Sequence, residues 1–160
     1  MITLEEFTPA DFARLISWIS DDTMLTQFAG PIFQYPLTEA QLYDYINAPL
    51  RRPFCVRHQH RTVGHAEIML SEDGVAKLCR LLIGAPEDRG RGLGEQMVRA
   101  LVAICWKKYA VKAVELNAYE WNMAALRCYE KVGFVRQSPI TTTCPKGGPP
   151  WRIVHMMLTR

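Results

Sequence analysis

Residues 75–94 read VAKLCRLLIGAPEDRGRGLG, and this stretch decides the fold. Val75–Ile83 is an apolar run with two charged interruptions, which is typical of a central β-strand. The strand leads into a glycine-rich turn, Arg89–Gly94, and apolar residues then recur at three-to-four spacing. That spacing predicts a long helix over Gly92–Tyr109.

A second strand, Ala113–Tyr119, follows this helix, so residues 75–119 form one strand-helix-strand crossover, which predicts one parallel pair of strands. Consecutive strands before the crossover predict antiparallel pairing. The predicted fold is α/β of the mixed α+β kind, a mostly antiparallel central sheet of about seven strands flanked by about four helices. The other predicted elements are strands at Ile2–Phe7, Phe54–His58, Thr62–Leu70, Val135–Thr143 and Ile153–Thr159, and helices from Thr8 to Ile19, over Glu39–Asn47 and over Met123–Val132, with Ser20–Pro36 irregular.

The length and composition of the chain limit its class. Its 160 residues are expected to form a single domain, 1–160. The net charge of +3 is too weak to indicate a nucleic-acid partner. No apolar stretch approaches the ~20 residues of a membrane span, and the N-terminus does not read as a signal peptide. The five cysteines lie mostly in apolar segments, so we expect a reduced, cytoplasmic protein with no membrane partner.

The glycine-rich turn is suited to binding a diphosphate. Its alternate glycines, Gly90, Gly92 and Gly94, let the backbone come close to a ligand. The free N–H groups at the start of the following helix form an anion site, and the two arginines of the turn add positive charge. The dinucleotide fingerprint is excluded because Glu95 stands where its third glycine belongs, and the Gly-Lys-Ser/Thr of a P-loop is absent. Taken alone, the turn is also compatible with a purely structural role.

A second motif supports a more specific interpretation. The turn resembles the cofactor motif of the Gcn5-related N-acetyltransferase superfamily, Gln/Arg-x-x-Gly-x-Gly/Ala, through Arg89, Gly92 and Gly94. Further along, residues 122–134 are similar to the superfamily pattern Asn-x-x-Ala-x-x-x-Tyr-Glu-Lys-x-Gly-Phe. The order of strands and helices also fits, so the resemblance covers nearly the whole chain. The N-terminal part is similar to the branch of ribosomal-protein and aminoglycoside acetyltransferases.

The resemblance implies an enzyme that moves an acetyl group from acetyl-CoA to a primary amine by direct attack, without an acyl-enzyme. The acceptor it implies is a protein N-terminus, a lysine side chain or a small-molecule amine. It places Asn122 near the pantetheine arm, and Tyr129 beside the thioester sulfur as the general acid. The remaining residues that it places at the cofactor are Leu81, Leu82 and Ile83 along the pantetheine, and Arg89, Gly90, Arg91, Gly92, Leu93 and Gly94 at the pyrophosphate.

The general base is less easily read. An amine of pKa ~10 must lose a proton before it attacks. Glu67 is our first candidate base, because it shares one strand face with His65 and Met69, and Glu120 is the second. Taken alone, either carboxylate is better explained as a solvated residue on a strand face.

No metal is expected, because the cluster Cys55, His58 and His60 matches no closed zinc pattern. The aromatic residues of the N-terminal segment form either a wall of the acceptor groove or part of the core; they are Trp18, Phe28, Phe33 and Tyr35.

Two alternatives to the acetyltransferase interpretation stay open at this point. One is a transferase that uses another acyl-CoA, such as succinyl-CoA. The other is a non-catalytic module that binds acetyl-CoA as a sensor, although a complete Tyr129 motif argues against it. The sequence does not distinguish a monomer from a homodimer.

Overall fold

The computed structural model describes residues 1–160, which form one seven-stranded sheet with five α-helices. The strands are β1 (Ile2–Glu6), β2 (Arg51–His58), β3 (Arg61–Leu70), β4 (Val75–Ile83), β5 (Ala113–Tyr119), β6 (Val135–Thr143) and β7 (Trp151–Thr159). The helices are α1 (Phe12–Trp18), α2 (Asp22–Ala29), α3 (Glu39–Ile46), α4 (Leu93–Lys107) and α5 (Met123–Val132). No helix is both long enough and apolar enough to cross a membrane.

The sheet is mixed, as predicted. Its strand order is β1-β2-β3-β4-β5-β7-β6. Only β4 and β5 run parallel, and they are the two strands of the crossover through α4. All other neighbouring strands pair antiparallel. The fold class predicted from the sequence is therefore confirmed.

Helix α2 is the element that the sequence interpretation missed. We expected Ser20–Pro36 to be irregular, because the Gly30-Pro31 breaker dominates that segment. The side chain of Asp21 instead caps the helix by accepting a hydrogen bond from the backbone N–H of Met24 at 2.7 Å. Gly30 ends it with a positive φ of 59°. The helix lies between these two capping residues. The structure therefore has five α-helices, where the sequence predicted about four.

Strand β2 also begins earlier than predicted. We expected a loop around Pro53 and a strand from Phe54, but the ladder with β3 already starts at Arg51, which pairs with Met69. This shift matters for the site described below, because it places Arg51 in the sheet.

Helices cover both faces of the sheet. One face lies under α4 and α5, where Ile68, Leu78 and Leu116 belong to the larger core. The other face is covered at β2–β4 by the three N-terminal helices, whose own core includes Phe12, Leu25 and Leu42. Secondary elements with one apolar face bury it in this layered way.

A polar network lies buried beneath α3. The hydroxyl of Tyr45 donates to Glu67 Oε2 at 2.6 Å and lies 3.0 Å from His65 Nε2. Glu67 also accepts hydrogen bonds from Arg51 Nη1 at 2.8 Å and from Arg80 Nη2 at 3.1 Å. The glutamate is completely buried, so its charge is balanced by the two arginines rather than by water.

His65 in this network makes stability depend on pH. Burial disfavours the imidazolium and lowers the pKa of His65 to about 3. In the unfolded chain a histidine titrates near ~6.5, so between these values the unfolded state binds one more proton. The free energy of unfolding should therefore fall by about 1 kcal/mol per unit as the pH drops from about 6 to about 4.

Urea unfolding of the wild type and of His65→Gln at several pH values between 7 and 4 measures this effect. The other histidines are common to both proteins, so the difference in slope isolates His65. Identical slopes would show that His65 does not carry the dependence.

Candidate active site

The site begins where β4 and β5 stop pairing. Their ladder runs from Val75 and Ala113 to Leu78 and Leu116 and ends there. Beyond this point β4 continues to pair with β3, and β5 continues to pair with β7. The β5-facing edge of residues 79–83 therefore has no partner strand, and a cavity of about 1110 Å³ opens between the two strands.

A β-bulge in β4 explains the separation. Cys79 pairs with Glu67 and Leu82 pairs with His65, so two residues of β4 stand opposite one residue of β3. One of the two is Arg80, whose φ of 49° is unusual for a residue with a side chain. Because a bulge bends the strand that carries it, β4 turns away from β5 at this point.

One end of the cavity has the geometry of a phosphate site. Gly90 and Gly92 adopt positive φ values of 70° and 77°, and Gly92 is the N-cap of α4. Both line the cavity, so the turn and the first N–H groups of α4 meet there. Arg127 and Lys131 of α5 also line the cavity and add positive charge.

The side chains of Arg89 and Arg91 are bound to neighbouring groups of the protein. The side chain of Arg89 lines the cavity but donates to the backbone carbonyls of Ile83 at 3.0 Å and Gly84 at 2.8 Å, so it fixes the end of β4. Arg91 is half exposed and lies 3.3 Å from Asp88. The turn therefore offers mainly backbone N–H groups to a phosphate.

Most of the predicted cofactor residues meet in the cavity. Arg91 and Leu93 do not line it, and Leu93 is buried in the core instead. Those that line the cavity are Leu81, Leu82, Ile83, Arg89, Gly90, Gly92, Gly94, Asn122 and Tyr129.

Helix α5 presents Asn122 and Tyr129 to the same cavity. Asn122 caps the helix through its Oδ1, which accepts from the N–H of Ala125 at 3.3 Å, so its amide nitrogen stays available to a ligand. The ring of Tyr129 packs at 6.3 Å from that of Phe134. Burial raises the pKa of Tyr129, so its hydroxyl stays protonated at neutral pH.

Glu67 is poorly placed for the role of general base. It is completely buried and does not line the cavity. Burial alone would raise its pKa, but the hydrogen bonds and charge of Arg80, with bonds from Tyr45 and Arg51, outweigh burial and lower it. A carboxylate held in this way does not reach the cavity and has little affinity for a proton.

The other candidates are placed as follows. Glu120 forms an ion pair with Arg152 at 3.0 Å and lies outside the cavity. Among the four N-terminal aromatic residues only Phe28 lines the cavity, whereas Trp18 packs against Gly84 at the end of β4. No group of three or more histidine, cysteine or acidic side chains is arranged to hold a metal ion.

The sequence interpretation missed several cavity residues. Lys77, Cys79 and Asn117 lie on strands that were predicted correctly, and alternation along β4 and β5 was the signal that could have found them. Arg51 and Arg80 depend on a strand start and a bulge that no local pattern shows.

Comparison with known proteins identifies the family. The model described as "Acetyltransferase (GNAT) domain" matches residues 1–135. The chain belongs to the GNAT acetyltransferases. It is 27% identical over 175 residues to the aminoglycoside N(6')-acetyltransferase type 1 of Klebsiella pneumoniae, covering 99% of this chain and 83% of the relative. The kanamycin resistance protein of Rhizobium radiobacter is 36% identical over 90 residues, which cover 56% of this chain and 77% of that protein.

Solved structures agree with this assignment. Aminoglycoside acetyltransferase AAC(6')-Ib in complex with coenzyme A and kanamycin superposes with a TM-score of 0.76 at 26% identity, covering 100% of this chain and 95% of that one. A spermidine N-acetyltransferase from Vibrio cholerae, in complex with CoA and spermine, gives 0.83 at 18% identity, with 99% and 95% covered, and supports the fold alone. The protein is therefore an acetyl-CoA-dependent N-acetyltransferase, and acetyl-CoA is its co-substrate.

The geometry of the turn predicts the effect of Gly92→Asp on cofactor binding. The carboxylate would stand beside the N–H groups that we expect to hold the pyrophosphate, so we expect acetyl-CoA affinity to fall at least about tenfold. Gly92→Asn is the matched control, because it imposes the same backbone strain at φ 77° without the charge. Calorimetry on both folded variants measures the difference, and equal affinities would place the pyrophosphate elsewhere.

Proposed function

We propose that this GNAT acetyltransferase acetylates a primary amine of a small molecule by direct attack, with Tyr129 as the proton donor to the leaving thiolate. One observation carries the proposal. Tyr129, the unpaired edge of β4 and the glycine turn all line a single cavity. A donor hydroxyl, a pantetheine track and a phosphate site are thus available to one molecule of acetyl-CoA.

The unpaired edge suits the pantetheine arm. An amide-bearing chain can hydrogen-bond to the exposed edge of a strand as an added strand would. Residues 79–83 offer such an edge between the turn and the centre of the cavity. With the pyrophosphate at Gly90–Gly94, the arm would run along this edge past Asn122 and bring the thioester towards Tyr129.

The reaction then proceeds in one displacement. The nitrogen lone pair of the neutral amine forms a bond to the thioester carbon, the carbon–sulfur bond breaks, and its electron pair leaves with sulfur. The nitrogen releases one proton to water. The thiolate takes one proton from Tyr129, which recovers it from solvent. A positioned acid of this kind typically contributes about 10²–10⁴-fold in rate.

The cavity cysteines argue for direct transfer. Cys79 and Cys128 line the cavity, and burial raises the pKa of both thiols. A nucleophilic cysteine requires the thiolate, which a raised pKa disfavours. We therefore assign no acyl-enzyme to either residue.

The comparisons support a small-molecule acceptor rather than a protein amine. The names of the relatives refer to aminoglycosides and to spermine or spermidine, which are small amines. A CoA-release assay over small-molecule amines and proteins with free N-termini tests the choice. Turnover of proteins alone would contradict it.

The role of Tyr129 predicts a kinetic effect. Tyr129→Phe keeps the ring and its packing but removes the hydroxyl, so kcat should fall at least about tenfold, with water as the substitute donor. Acetyl-CoA affinity should change little, because the proposed pyrophosphate and pantetheine contacts do not involve this hydroxyl. A loss confined to kcat marks an interaction that is made mainly in the transition state. Tyr43→Phe, at an exposed position outside the cavity, is the control. A variant with wild-type kcat, measured where chemistry limits the rate, would remove Tyr129 from the mechanism.

Direct transfer has its own test. Intact mass spectrometry after incubation with acetyl-CoA and no amine should show no acetylated protein. Cys79→Ala should keep kcat within about tenfold, since removing a covalent nucleophile costs far more. An acetyl adduct that disappears in Cys79→Ala would establish an acyl-enzyme.

A further inference from the structure

The acceptor end of the cavity lies beyond the bulge. The phosphate turn follows the C-terminal end of β4, so the cofactor occupies the cavity from Gly94 back towards Cys79. The part that remains lies at the N-terminal half of β4, around Lys77. This location rests on the proposed function, since it assumes acetyl-CoA in the cavity.

Basic side chains line this end. The ladders pair Arg51 with Met69 and Met69 with Lys77, so the three residues form one row across β2, β3 and β4. All three line the cavity, and so does Arg80. Arg80 is 9% exposed and Arg51 is 22% exposed, while buried Glu67 contacts both. Three positive charges and one negative charge leave a net charge of +2 here.

The carboxylates that line the cavity lie at its other end, near the glycine turn. The only acidic residues that line the cavity are Asp88 and Glu95. Asp88 belongs to the turn preceding the glycines and is bound by Arg61 at 2.6 Å. Glu95 is in the first turn of α4 and lies 3.3 Å from Lys131.

Glu115 is the nearest acidic residue along the row of Lys77. It pairs with Lys77 in the β4–β5 ladder, but it lies outside the cavity and contacts His155 Nε2 at 2.9 Å. The carboxylate of Glu115 is 30% exposed and contacts His155 rather than Lys77, so it lowers the net charge beside the row but leaves the Lys77 ammonium without an ion-pair partner.

We propose that the acceptor carries a carboxylate near its primary amine, as amino acids and short peptides do, and that Lys77 and Arg51 bind it. Arg51 uses only Nη1 on Glu67, which leaves donors of its guanidinium for a carboxylate. Arginine and carboxylate pair through two parallel hydrogen bonds. Arg80 adds charge from the floor of the cavity.

The same charges disfavour a polycation. Aminoglycosides and spermidine carry several ammonium groups, and each would meet positive side chains instead of carboxylates at this end. Like charges brought together in a partly desolvated cleft weaken binding. The acceptor end of this chain thus favours an acceptor with an anionic group over the polycations named for its relatives.

Matched acceptors test the proposal with the full chain. CoA release is measured with amino acids and dipeptides, each against its own C-terminal carboxamide, which keeps the amine and removes the charge. Spermidine and kanamycin serve as polycations, and phosphoethanolamine serves as an amine phosphate. We expect kcat/KM to be at least about tenfold higher for the carboxylates than for their amides.

Variants assign the preference to the site. Lys77→Met should reduce the preference for carboxylates mainly through KM, and Lys77→Glu should move it towards the carboxamides and spermidine. Lys107→Met, on the exposed surface of α4, is the control and should keep wild-type values. Acetyl-CoA affinity should stay unchanged in all three.

The outcomes separate this inference from the proposed function. Turnover that favours spermidine, kanamycin or the carboxamides would overturn the carboxylate-bearing acceptor and leave the transferase intact. A preference for phosphoethanolamine over all carboxylates would overturn the proposal that the anionic group of the acceptor is a carboxylate. Tight acetyl-CoA binding without CoA release on any amine would overturn both.

Discussion

The buried ion pair between Glu67 and Arg80 stabilises the β-bulge of β4, and the rest of the site depends on this bulge. Arg80 stands at the bulge of β4 with a φ of 49°, a conformation that costs about 1–2 kcal/mol for a residue with a side chain. Its guanidinium contacts both carboxylate oxygens of Glu67. Removing one partner would leave the other charge buried and unpaired, which typically costs about 3–5 kcal/mol, so we expect loss of either residue to disturb the bulge.

The bulge in turn relates the proposed cofactor site to the proposed acceptor site. It turns β4 away from β5, which leaves residues 79–83 with an unpaired edge towards the cavity. The same bulge places the Arg80 side chain beneath the acceptor end. We therefore assign Glu67 a positioning role, because it does not line the cavity and its lowered pKa gives it little of the proton affinity that a general base needs. One polar network therefore supports both halves of the cavity without touching the reacting atoms.

Local patterns in the sequence were sufficient for the frame of the molecule and for most of the predicted residues that line the cavity near the glycine turn. The run Val75–Ile83, the glycines of the turn and the Asn122–Phe134 motif each report on one continuous segment, and each was placed correctly. The acceptor half could not be predicted in the same way. Its charge comes from side chains on β2 and β4, and their alignment depends on strand register, which no single segment encodes. Helix α2 was missed because its cap at Asp21 is a weaker signal than the Gly30-Pro31 breaker.

The central claim is that acetyl-CoA fills the gap between β4 and β5 and pairs with the free edge of β4. Residue-resolved amide hydrogen exchange, with and without saturating acetyl-CoA and no acceptor, tests it most directly. Protection should increase among the amides of residues 79–83 and 90–94, whereas Val75–Leu78, already paired with β5, should change little. Tight binding that leaves the exchange of residues 79–83 unchanged would contradict the claim.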